Sequence, residues 1–199
     1  MKNVSERQVN HMNLKSAIPA FMGLNLCCLA ILLFMVIEDY LALSSVLSFN
    51  EVSKMIILII FASIVLTLYG ILLTYLTSAE HINDTNKGYQ NNSIFVIVSF
   101  MFVAALFEEL LFRGIIQNVL FLTLEHQWLA IILTAFLFVA FHIQYYRKPW
   151  MLLNITVPSL VLGWSYFYTD NLLVPLFIHF VNNVGITILF KFNVIKLKS

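Results

Sequence analysis

The sequence predicts an all-α fold, a polytopic transmembrane helical bundle of about six helices, on three observations. Of 199 residues, 61% are hydrophobic and only 11% charged, whereas a soluble domain carries about 25% charged residues. Six apolar segments follow one another, each too long to be a strand. Basic residues gather in every second linker, as they do when a chain threads back and forth through a bilayer. The mean hydropathy of +0.90 agrees, since it leaves apolar surface for lipid as well as for a core. A net charge of +1 provides no basic excess for nucleic acid.

Taken in order, the first segment is Ala17–Ile37, uncharged and long enough to cross the roughly 30 Å hydrocarbon core. It is too long for the apolar region of a signal peptide, so it reads as a retained helix. Its neighbouring Cys27 and Cys28 point about 100° apart on a helix, which suits neither a bridge nor a metal pair, and they read as small membrane hydrophobes. The second segment is Met55–Leu76. A polar, Gly-containing stretch at 81–92 reads as a loop. The remaining segments are Ile94–Leu124, Trp128–Tyr146, Trp150–Tyr168 and Leu172–Phe190, with Pro149 and the Asp170-Asn171 pair marking the last two turns. With six spans, one side collects Lys2, Arg7, Lys15, Lys87, Arg147, Lys148, Lys191, Lys196 and Lys198, and the other holds only Lys54. That asymmetry puts both termini in the cytoplasm. The expected division is an N-terminal region of two spans (1–92), a four-span core (93–191) and a cytoplasmic tail (192–199).

The third segment carries charge where charge is expensive. Glu108, Glu109 and Arg113 interrupt it, and each charged group near a span centre costs about 2.5–3.5 kcal/mol on insertion scales. A loop between two short helices is one reading; one long helix turning its charges into the bundle is the other, and the short flanks favour it. On a helix, Glu109 and Arg113 are four apart and share a face. Glu108 lies about 140° around from Arg113 and is left to meet other helices. Glu109 with Arg113 therefore reads as a structural pair, and Glu108 as the working carboxylate. His142 ends the fourth segment, with Phe138 four residues earlier on its face, and His179 in the sixth is followed four residues later by Asn183. A carboxylate that takes a proton from water, an imidazole that orients that water and an amide that donates to an oxyanion are the parts needed to hydrolyse an amide.

Three elements carry a resemblance: EELLFR at Glu108–Arg113, FVAFH at Phe138–His142 and HFVNN at His179–Asn183. They resemble the EExxxR, FxxxH and HxxxN motifs of the CPBP family, the CAAX proteases and bacteriocin-processing enzymes also called Abi proteins, which include type II CAAX prenyl endopeptidases. The resemblance implies an intramembrane endopeptidase in which Glu108 activates water, His142, His179 and Asn183 complete the site, and Glu109, Arg113 and Phe138 support it. Its implied partners are membrane lipid and a peptide or membrane-anchored protein substrate, in peptide or bacteriocin processing, immunity or CAAX-type maturation. The abundance of Asn, Ile, Lys and Phe suits an AT-rich bacterial gene, hence a bacterial plasma membrane. Zinc is a candidate cofactor of a metalloprotease-like site, with Glu108, His142 and His179 as candidate ligands and the fourth position open to water. The alternative is a non-enzymatic immunity or partner-binding membrane protein that retains the motifs.

Depth along the helices poses a difficulty. Glu108 lies about 21 Å from the cytoplasmic end of its segment, His142 much nearer that end of the fourth, and His179 nearer the outer end of the sixth. Tilt, a kink at Pro175 or a fourth helix running through Tyr146 would bring them level.

Overall fold

The computed structural model describes residues 13–76, 92–146 and 148–195. Among them the chain forms six helices and no sheet: α1 (Leu14–Ile37), α2 (Val52–Leu76), α3 (Ile94–Leu124), α4 (Gln127–Ala140), α5 (Pro149–Thr169) and α6 (Leu173–Lys191). All but α4 are long and apolar enough to cross a membrane. The protein is a multi-pass membrane protein, and most large side chains on the outer faces of α1 and α2 are exposed apolar ones, such as Leu26, Leu33, Ile57 and Phe61. Of the basic residues behind the topology reading, Lys2, Arg7, Lys87, Arg147, Lys196 and Lys198 lie outside the described residues, as do most of the loop at 81–92 and the end of the tail.

Local sequence explains where the helices begin. The Asn13 side chain accepts from the Lys15 amide at 3.1 Å and caps α1. Ser93 accepts from Val96 at 3.4 Å and caps α3, and the His126 ring accepts from Leu129 at 3.2 Å and caps α4. Each cap satisfies one of the orphan donors of a first turn. Pro149 opens α5, where its missing N–H is not needed.

The interrupted third segment is one helix of 31 residues, not two short ones with a loop. Its middle, Leu110–Gln117, winds as a π-helix. The wider turn leaves carbonyls out of α-register, and the Asn118 side-chain amide donates to two of them, Arg113 at 3.1 Å and Gly114 at 2.7 Å. Such π segments are frequent at functional sites.

The fourth helix differs from expectation. It ends at Ala140, and the 14 residues of α4 span only about 21 Å. His142 leaves the helical conformation at φ −96°, ψ 50°, and a short 3-10 turn, Ile143–Tyr145, follows.

This shortening resolves part of the depth difficulty, and the start of α6 resolves the rest. A methyl group built on Gly114 would meet Leu172 at 3.4 Å, so α6 begins level with Gly114 rather than with the C-terminal end of α3. From there Glu108 is six residues inward along α3 and His179 six residues inward along α6, about 9 Å each. The loop after α1 holds that start in place. The Leu172 amide donates to Val46 at 2.8 Å, the Ser48 amide to Asp170 at 2.9 Å, and the buried Asn171 amide to Ser48 at 2.6 Å. Pro175 sits in the first turn of α6, where it produces no break, so the Pro175 kink and the long fourth helix are both unnecessary.

Packing follows the same plan. α1 lies on α3, α2 on α5 and α6, and α4 on α5 and the π segment. Cys28, Leu32, Leu110, Tyr166 and Leu172 form one apolar cluster between α1, α3, α5 and the start of α6. Met55, Ala62, Leu66, Leu162, Val174 and Ile178 form a second between α2, α5 and α6.

Candidate active site

The charges of α3 are turned inward. Glu109 and Arg113 are fully buried, and Arg113 Nη1 donates to Glu109 Oε1 at 3.1 Å across one helical turn. The Arg113 guanidinium also lies 5.1 Å above the Phe138 ring. Glu108 points elsewhere, as its helical phase requires, and its side chain stays 25% exposed while that of Glu109 is sealed. Only the first of these carboxylates is therefore open to water or substrate.

His179 joins the two. Its Nδ1 is 2.6 Å from Glu109 Oε1, and its Nε2 is 3.6 Å from Glu108 Oε2. The carboxylate oxygen accepts, so Nδ1 carries the proton and Nε2 faces Glu108. Glu109 is thus more than half of an ion pair with Arg113: one of its oxygens receives both the guanidinium and the imidazole. The sequence reading gave it only the first contact, because helical spacing reports neighbours on one helix and cannot reach residue 179.

His142 is placed by the early end of α4. Its backbone N–H turns to Val139 at 2.9 Å, which leaves the Phe138 carbonyl without its usual helical partner. The His142 ring takes over, with Nδ1 2.7 Å from that carbonyl oxygen. A carbonyl only accepts, so Nδ1 again carries the proton and the lone pair of the neutral ring sits on Nε2. Both imidazoles lie near Phe138, whose centroid is 4.6 Å from the His142 ring and 6.4 Å from the His179 ring. Tyr145 stacks on the His142 ring at 6.1 Å. Asn183 is half-buried one turn after His179 on α6. Among the described residues, no hydrogen bond ties His142 or Asn183 to either glutamate or to His179.

The structure thus brings Glu108, Glu109, Arg113 and His179 together and packs His142 against Phe138, and among the described residues the Asn183 amide has no hydrogen-bond partner. A zinc site does not fit this arrangement: among the described residues no group of three His, Cys, Asp or Glu is placed to hold a metal ion. Glu108, His142 and His179 do not form the ligand set considered from sequence.

Several residues that support the site escaped the sequence reading. Arg113 Nη2 donates to both the backbone oxygen and the hydroxyl of Ser159, each at 3.0 Å. Gln117 donates to the Gly163 carbonyl at 2.9 Å. Asn118 bonds the Tyr166 hydroxyl at 2.8 Å, and that hydroxyl reaches the Ser45 carbonyl at 3.2 Å. All four side chains are buried. Their signal was present: Gln117 and Asn118 are uncharged amides inside an apolar segment, where a polar group is expensive unless paired. A search for charges and imidazoles passes over them.

Comparison with known proteins bears on the same stretch. Residues 90–185 match the family model described as type II CAAX prenyl endopeptidase Rce1-like, and this range contains Glu108, Glu109, Arg113, Phe138, His142, His179 and Asn183. The chain is 34% identical over 95 residues to the uncharacterized protein YpbD of Bacillus subtilis (strain 168). That alignment covers 48% of this chain and 46% of YpbD, so the chain spans about half the length of this curated relative. No solved structure matches.

Proposed function

We propose, from the membership of residues 90–185 in the Rce1-like family of type II CAAX prenyl endopeptidases, that this chain is an intramembrane endopeptidase working through a glutamate-activated water. The observation that carries the reading is His179 held between two glutamates, one sealed and one open, inside an apolar bundle. A dry bundle has no structural need for a second carboxylate beside a pair already satisfied, and an intramembrane ionisable group of that kind reads as functional.

The roles follow from the geometry. A water between Glu108 Oε2 and His179 Nε2 lies within hydrogen-bond reach of both groups, which stand 3.6 Å apart. Glu108 takes a proton from that water as its oxygen attacks the peptide carbonyl carbon. The carbonyl π bond becomes an oxyanion, to which the Asn183 amide donates. Glu108 then returns the proton to the leaving nitrogen, the C–N bond breaks, and a carboxylic acid and an amine depart. Glu109 holds the His179 ring in one orientation, and Arg113 holds Glu109 in place. His142, with Nδ1 spent on the Phe138 carbonyl, keeps its Nε2 for the water or the substrate. No Ser or Cys takes part: Cys27 and Cys28 lie on α1.

The substrate is a peptide or a membrane-anchored protein, cut in bacteriocin or peptide processing, in immunity or in CAAX-type maturation. The four-helix part, residues 93–191, is the catalytic core, and the chain sits in the bacterial plasma membrane with both termini in the cytoplasm. Membrane peptidomics on cells carrying wild-type protein or Glu108→Gln tests the reading. Peptides that depend on the wild-type protein and vanish with the variant support it. Identical peptide sets, with equal amounts of both proteins in the membrane, would leave a non-enzymatic immunity or partner-binding protein.

A further inference from the structure

The π segment of α3 and the helix α5 run side by side in the same direction, joined by a ladder of buried polar contacts. Arg113 meets Ser159, Gln117 meets Gly163 four residues on in each helix, and Asn118 meets Tyr166. Gly163 leaves room for this contact: a methyl group there would stand 2.8 Å from the Gln117 amide oxygen and force that side chain to shift. The ladder therefore fixes the register of α5 against α3 and delivers Ser159 to the guanidinium.

We propose that Ser159 is a positioning residue of the site, acting through Arg113 and Glu109 on the His179 ring. Ser159 is buried, belongs to none of the three sequence motifs and comes from a helix that contributes no other side chain to the contacts between Arg113, Glu109 and His179. A guanidinium is a flat fork whose donors point in fixed directions. Arg113 Nη1 faces Glu109 at 3.1 Å, and Nη2 faces Ser159 through two acceptors, its backbone oxygen and its hydroxyl. Two acceptors on one side set the plane of the fork, and the plane sets where Nη1 meets the carboxylate. Glu109 Oε1 is shared between Nη1 and His179 Nδ1, so any rotation of the fork is passed to the imidazole. Arg113 Nε has no hydrogen-bond partner among the described residues, so Ser159 is the anchor that holds the fork from the far side.

The inference rests on the endopeptidase reading for its purpose, but its test does not need activity. The full-length protein, labelled with 15N-histidine in detergent, is examined by NMR for the proton on His179 Nδ1. A proton in so short a bond to a carboxylate resonates far downfield, and its loss in Glu109→Gln assigns it. Ser159→Thr and Ser159→Val add the same volume and differ only in the hydroxyl. The expected result is that Thr keeps the resonance, whereas Val shifts or broadens it away. If the site rejects both for their bulk, Ser159→Ala removes the hydroxyl and adds nothing, and it should displace the resonance too. An unmoved resonance in Val or Ala, equal loss in Thr and Val when both proteins fold as the wild type does, or no such resonance in the wild type would overturn the proposal. A responding resonance in a protein that cuts no peptide would sink the endopeptidase reading and leave the positioning role standing.

Discussion

At the scale of single residues, the two adjacent glutamates differ because a helix turns about 100° between neighbours. Glu109 meets Arg113 and His179 in a sealed interior, while Glu108 keeps a quarter of its side chain exposed. Glu108→Gln should leave the unfolding temperature in detergent unchanged and remove peptidase activity. Glu109→Gln breaks a fully buried pair and leaves Arg113 uncompensated, a loss of about 3–5 kcal/mol, so the protein should accumulate poorly and unfold earlier. It also frees the His179 ring, so whatever folds should be inactive. Comparing membrane levels and melting curves checks the distinction; equal destabilisation by both substitutions would contradict it. His142 offers a second test. Its Nδ1–H satisfies the Phe138 carbonyl at 2.7 Å, and leaving a buried acceptor unpaired costs about 1–3 kcal/mol. His142→Asn can still donate to that carbonyl, whereas His142→Ala cannot. The Ala variant should melt lower than the Asn variant, and both should lack activity if the ring nitrogen Nε2 is used.

Among the elements, the π segment of α3 depends on side chains from outside its own ladder. Asn118 covers the carbonyls of Arg113 and Gly114 and bonds the Tyr166 hydroxyl. Asn118→Leu keeps the size and strips all three contacts at once, so a loss of several kcal/mol is expected from unpaired buried groups at about 1–3 kcal/mol each. Gly163→Ala should cost about 1–3 kcal/mol by overpacking, since Gln117 must shift to admit the methyl. Thermal unfolding of both variants measures these losses. A Gly163→Ala protein as stable as the wild type would show that the ladder between α3 and α5 is slack. The element that departs from expectation is α4. Apolar sequence continues through Phe141 and Ile143, so hydrophobicity alone carries the segment on to Tyr146. The chain nevertheless leaves the helix at His142, where a side chain replaces a backbone donor on the Phe138 carbonyl. That side-chain bond sets His142 against Phe138.

For the whole molecule, the orientation in the membrane is read from charges in the linkers, nine basic residues against one. Reporter fusions at Lys198 and within residues 81–92 should both report the cytoplasm. A reading on the far side at either place would reverse or break the topology.

The number of apolar helices, their order and the inward turn of Glu109 and Arg113 were determined by the sequence itself. Each follows from a local rule: the length of an apolar run, the spacing of four on a helix, and the expense of a lone charge in lipid. So were the three motifs that mark the site, because their residue types are rare inside a membrane. The tertiary structure decided what no local rule reaches. It gave Glu109 to His179 across 70 positions, tied Arg113 to Ser159 across 46, and began α6 at the level of Gly114 rather than at the end of α3. Helical periodicity measures angles around one axis. How deep a second helix starts, and which of its faces it offers, is set by the loops and side chains that clamp it, here Asn171 on Ser48 and Leu172 on Val46.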